Sequence, residues 1–118
     1  MNKLILSLVA LSLPIASAAG AQTPDADDAA CIVALAVLGE TADKDMAQAA
    51  SSGTLYYMGR LDGRSADRDL TELLAAAATA LEGKELKPVL ERCGALLSAR
   101  GAAMSAAGDA MKKREPKR

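Results

Sequence analysis

Four stretches of the chain repeat apolar residues at helical spacing. Cys31, Ile32, Leu35 and Leu38 fall at i, i+1, i+4 and i+7, behind a turn crowded with Asp25, Asp27 and Asp28. This predicts a first helix over about 25–38, with carboxylates at its positive end and Gly39 as its stop. Its apolar ring is expected deep in the core. Met46, Ala50, Tyr57 and Leu61 mark one face of a second helix, about 43–61. Gly53 falls where that face continues, as a break or a close crossing. Leu70, Leu73, Leu74, Ala77 and Leu81 form the clearest stripe, predicting a third helix over about 67–82, capped by Asp67 and closed by Gly83. Leu86, Leu90, Cys93, Leu97, Met104 and Met111 form a coiled-coil-like seam on a fourth helix, interrupted at Arg100-Gly101. Pro88 suits its first turn, where a missing N–H has no partner to lose. From residue 88 to 113 this helix measures about 39 Å at 1.5 Å per residue. That exceeds the first and third helices, so its C-terminal part is expected to project past the bundle or pack on another protein.

Composition removes the competing fold classes. The chain has 118 residues, no Trp, no Phe and only two Tyr. Beyond residue 21 the β-branched aliphatics are Ile32, Val33, Val37 and Val89, while alanine, the best helix former, is the most frequent residue. The expectation is an all-α, disulfide-clamped four-helix bundle with a long C-terminal helix.

The first residues follow a different logic. Asn2 and Lys3 precede an apolar run over 4–16, and Ala19-Gly20-Ala21 has the small-x-small form that signal peptidase accepts. Residues 1–21 therefore read as a cleaved signal peptide, with Ala16-Ser17-Ala18 as a second cleavage choice. The apolar run is shorter than the roughly 20 residues a spanning helix needs, so no stable membrane span is expected after cleavage. Cys31 lies too far on to be a lipid-attachment cysteine. The mature chain would comprise a helical domain, 22–111, and a basic disordered tail, 112–118, in the periplasm or secreted.

Charge is segregated along the chain. Lys112, Lys113, Arg114, Lys117 and Arg118 crowd the tail, leaving the rest of the mature chain net acidic. An acidic body is a poor surface for nucleic acid. The tail reads as a frayed, solvated end rather than a lipid contact.

Two features stand out as candidates for function. Cys31 and Cys93 are the only cysteines, both on expected core faces of an exported chain, so a structural disulfide is expected. A redox-active pair would normally be C-x-x-C. The second feature is the run Tyr56-Tyr57-Met58-Gly59-Arg60-Leu61-Asp62-Gly63-Arg64. On a helix, Gly59 stacks on Gly63, Tyr56 on Arg60, and Arg60 on Arg64. The glycines would clear a groove for a close helix crossing, and Tyr56 would lie against the Arg60 guanidinium. The sharper reading makes Tyr56, Tyr57, Gly59, Arg60, Gly63 and Arg64 a binding surface, since Tyr and Arg are hot-spot residues.

A cysteine in the first helix, Tyr56-Tyr57-x-Gly59-Arg60-Leu61-x-Gly63-Arg64, and a cysteine in a later helix resemble small uncharacterised exported proteins of Gram-negative bacteria. The build is also similar to the HdeA acid-stress chaperones and the Tai/Rap immunity proteins of type VI secretion. The spacing of Tyr56 and Gly59 is similar to a Tyr-Gly motif of the immunity group. The resemblance covers Cys31 to Cys93 and implies an exported helical build with a disulfide between helices. It assigns no functional residue.

Enzyme chemistry finds little support. With no histidine, histidine base catalysis and histidine metal sites are excluded. Asp25-x-Asp27-Asp28 lacks the Gly and distal Glu of a calcium loop, and no Gly-rich phosphate loop is present. No catalytic residue, metal or cofactor is expected. The expectation is a small periplasmic helical binding protein of unknown partner, with another envelope protein as the candidate. The contact would be the 56–64 surface or the projecting part of the last helix. The alternative is a periplasmic stress chaperone of the HdeA type.

Overall fold

Each helix begins where a short polar side chain, or a proline, takes care of the free N–H groups of its first turn. In the computed structural model, which describes residues 23–116, these helices are α1 (Pro24–Thr41), α2 (Lys44–Arg64), α3 (Leu70–Leu81) and α4 (Lys87–Arg114). Thr23 Oγ1 accepts from the Ala26 N–H, Asp43 Oδ1 from Met46 and Asp69 Oδ1 from Glu72, at 3.2, 3.0 and 2.9 Å. Helix α4 has no side-chain cap and begins with Pro88 in its first turn, as expected. The expected signal peptide and cleavage site, together with Lys117 and Arg118, lie outside the described residues.

Several boundaries differ from the pattern-based ones. Helix α1 runs through Gly39, which adopts no positive φ and lies against α2, with Ala50 Cβ 3.7 Å from where a Gly39 Cβ would stand. It ends at Thr41, where the Ala42 N–H closes on the Leu38 carbonyl at 3.0 Å. Asp69, not Asp67, caps α3: the helix starts at Leu70, and Asp69 Oδ1 accepts from the Glu72 N–H. Gly83, at φ +69°, closes that helix in the left-handed conformation glycine favours. At the far end, Lys112, Lys113 and Arg114 form the last turn of α4 rather than a disordered tail. Cations there face the negative end of the helix dipole.

Helix α1 is the centre of the fold, and the other three pack around it. Its residues Cys31, Ile32 and Leu35 are buried as expected, while Leu38 is only half-buried. From α2, Ala50, Gly53, Tyr57 and Leu61 turn inward; Met46, expected on the same face, is exposed. Helix α3 lays its leucine stripe against α1, with Ala77 buried in the middle. Helix α4 is joined to α1 by the Cys31–Cys93 disulfide, and Cys93 is its only buried residue. Disulfides of this kind persist in oxidising compartments, outside the reducing cytoplasm. None of the described helices is long and apolar enough to cross a membrane.

The close crossing lies at a different glycine from the two in the Tyr-Arg motif. Gly59 and Gly63 are exposed, and a methyl on either would meet nothing within 4 Å. A Cβ on Gly53 would stand 2.8 Å from Leu97 Cδ1 and 3.0 Å from Leu35 Cδ1. Helices α1, α2 and α4 therefore meet over Gly53. A methyl at Gly59 stands in open space, so Gly59→Ala is not expected to destabilise the body.

Candidate functional site

The periodicity of α2 divides the 56–64 motif among several surfaces. Tyr57 belongs to the core: its ring is buried and its hydroxyl donates to the Cys93 carbonyl at 2.9 Å. Burial, and after it the Asp28 charge, push its phenol above the ordinary tyrosine value. Gly59 and Gly63 look to solvent. Tyr56 is half-buried, edge-on to Tyr57 with ring centroids 5.3 Å apart, and the Arg60 guanidinium carbon stands 5.9 Å from its ring centre. That is within cation–π range. Arg60, and then Arg100, hold the Tyr56 phenol below its usual value.

Arg60 and Arg64 turn to α1. Arg60 Nε donates to Asp28 Oδ2 at 2.9 Å, and Arg64 Nη2 donates to the same oxygen at 2.5 Å. Arg64 Nε reaches Asp25 Oδ1 at 2.6 Å, and Arg68 Nη1 donates to the other Asp25 oxygen. Arg68 lies in the turn after α2, where its Nη2 and Nε also donate to the carbonyls of Leu61 and Ser65 at 2.7 and 2.9 Å. A fifth pair, Arg92 Nη1 with Asp27 Oδ1 at 3.1 Å, ties α4 to the same turn. The result is a clasp in which Arg60, Arg64 and Arg68 close on Asp25 and Asp28.

Asp28 is buried, and the clasp supplies the partners that a buried carboxylate requires. Arg60 is therefore more than the weakly contributing exposed arginine that its sequence position suggests. Arg68, Asp25 and Asp28 join the site although the sequence motif does not include them; their signal lies in the spacing. Arginines at 60, 64 and 68 follow a four-residue step, and aspartates at 25 and 28 follow a three-residue step. Which carboxylate meets which arginine depends on how α1 lies on α2.

The clasp's acid response follows from its chemistry. Arg68 and Arg64 hold the Asp25 carboxyl below the ordinary aspartate value. A carboxylate depressed by folding contributes stability at neutral pH and loses it as pH falls through the depressed value. Below about pH 4 the clasp should therefore loosen. The melting temperature is expected to fall between about pH 5 and pH 2, and Asp25→Asn should flatten that fall. Superimposable profiles for the two proteins would remove Asp25 from the acid response.

Comparison with known families, with curated proteins and with solved structures finds no match for this chain.

The described surface also carries several clefts. A cleft of about 270 Å³ opens between α1, α3 and the start of α4, lined by Ala26, Ala30, Leu73, Ala77 and Val89 among others. It is small for a drug-sized ligand. A second cleft, of about 190 Å³, is lined by Asp27, Asp28, Arg60 and Arg92, charges that already pair with one another. Both cysteines are held in the disulfide, and no cluster of three metal-ligating side chains occurs among the described residues. The other sequence candidate is the far part of α4. From Ser98 to Arg114 every residue is exposed except Gly108, which is half-buried. Met104 and Met111 are 77% and 69% exposed.

Proposed function

We propose that this protein is a periplasmic or secreted binding protein, and that it grips another protein through the part of α4 that leaves the body after Leu97. The supporting observation is a helix running on to Arg114 with almost none of the described residues packed against its far part. Over 98–114 this segment extends about 25 Å at the helical rise. Isolated helices of about this length are marginal in water, and most helices in proteins draw stability from a packed apolar face. Met104 and Met111 are seven residues apart and so share one side of this helix, ready to supply such a face. Methionine suits adaptable protein contacts because its side chain is flexible and polarizable. The 56–64 surface is the weaker contact, since Arg60 and Arg64 are engaged with Asp25 and Asp28.

A chain truncated after Arg100 tests this reading. Its body should melt close to the full-length protein, because the bridge, the clasp and Leu97 all remain. Its capture of partners from envelope extract, fixed by cross-linking, should be lost. Equal capture by both forms would refute the proposal.

The clasp favours a second reading, an acid-activated chaperone of the HdeA kind. Opening the clasp would free the start of α1 from α2 and uncover Leu61 and Tyr57. Suppression of client aggregation, setting in over the same pH range as the Asp25-dependent loosening, would support it.

A further inference from the structure

Helix α4 carries a threefold repeat. Residues 94–100 read GALLSAR, 101–107 read GAAMSAA and 108–114 read GDAMKKR. Each heptad opens with glycine and holds a large apolar residue in fourth place: Leu97, Met104 and Met111. A strict seven-residue repeat keeps one seam turned toward a neighbouring helix along the whole of its length. The first heptad has its neighbour within the body, where Leu97 sits over Gly53 of α2. The second and third repeat the pattern where the described residues offer nothing to pack on.

We infer that the second and third heptads of α4 pair antiparallel with the same heptads of a second copy of this chain, about a two-fold axis between Ala107 and Gly108. This rests on the reading that the projecting segment is a contact surface, and it names the partner. Register is the first support. With the axis there, Met104 of each copy faces Met111 of the other, and Gly108 faces Ala107, so the backbones approach closely at the centre. Such self-complementarity is what an isologous two-fold contact requires.

Charge decides the direction. Cys31 is bridged to Cys93, and four residues further on Leu35 and Leu97 meet over Gly53. Helices α1 and α4 therefore run the same way, and α4 leaves the body at the α1–α2 turn. Glu40, Asp43 and Asp45 are exposed at that turn, outnumber its single cation Lys44, and form no ion pair among the described residues. In the antiparallel register, Lys112, Lys113 and Arg114 of each copy travel back toward this acidic end of the other. A parallel pair would set the same cations against their own copies, and like charges in contact repel.

Sedimentation equilibrium of the purified, oxidised protein tests the pairing. The expected result is a reversible monomer–dimer equilibrium, weakened as salt screens the tip charges. Met104→Glu combined with Met111→Glu should be monomeric throughout, with the melting of the body little changed. Direction is tested by cross-linking. A mixture of Met104→Cys and Met111→Cys proteins should join through a short thiol-reactive linker, and Met104→Cys alone should not. The native cysteines do not interfere, since they are bonded to each other and buried. A wild-type monomer at all concentrations, a dimer unaffected by the glutamates, or self-joining of Met104→Cys would overturn the inference. If the protein is monomeric but truncation after Arg100 still abolishes capture of an envelope protein, self-pairing falls and the binding function stands. If the dimer forms as described and truncation leaves capture unchanged, the pairing stands and that function falls.

Discussion

Reducing the Cys31–Cys93 bridge is expected to cost about 4 kcal/mol of stability on the chain-entropy account. The bridge spans 62 residues, so opening it restores a long loop's freedom to the unfolded chain. Its weight in this protein comes from how little else holds α4. Only Cys93 of that helix is buried, and its other attachments are the Tyr57 hydroxyl, the Arg92–Asp27 pair and half-buried leucines such as Leu90, Leu96 and Leu97. A domain of this size is stable by about 5–15 kcal/mol in all, so the loss is a large share. The melting temperature should drop by roughly 15–30 °C, taking about 4–8 °C per kcal/mol for a small domain. Thermal melts with and without reductant, and of Cys31→Ser/Cys93→Ser, check this. A shift of only a few degrees in both would mean that packing, not the bridge, secures α4.

Tyr57→Ala is expected to be of similar severity, about 3–5 kcal/mol, the range for truncating a large buried aromatic. Tyr57 is among the largest fully buried side chains, in a core otherwise built from alanine, leucine, isoleucine and the disulfide. It starts on α2, passes the α1 core and ends on the α4 backbone at Cys93, so one truncation loosens three helices. Tyr57→Phe separates the two contributions. It keeps the ring and removes only the hydrogen bond to Cys93, at a cost of about 0.5–1.5 kcal/mol. Urea unfolding of both variants measures the difference. If Phe proved as damaging as Ala, the hydroxyl contact rather than the buried ring would be holding the core.

Much of the fold is legible in the residue order because its causes are local. The apolar residues of α3 recur at 3.6-residue spacing, Pro88 is tolerated only in a first turn, and Gly83 accepts a positive φ. The pairing of Cys31 with Cys93 was legible too, since two cysteines leave one choice of partner. The candidate site was legible in part. Tyr56 and Arg60 do stack, because they lie one turn apart on one helix.

What remained depended on how helices lie across one another, which periodicity does not encode. Gly53, Gly59 and Gly63 are alike as residues of α2; only the positions of Leu35 and Leu97 make the first a crossing and leave the other two in open space. Asp25 and Asp28 read as helix-start carboxylates until α1 is laid on α2, where they become the anchors for Arg60, Arg64 and Arg68. The seam of α4 shows the same division. Its sequence marks Leu97, Met104 and Met111 as one continuous face, but α1 and α2 are long enough to cover only the first of them. An apolar pattern records that a face needs a partner; the length and placement of neighbouring helices decide whether this chain supplies it.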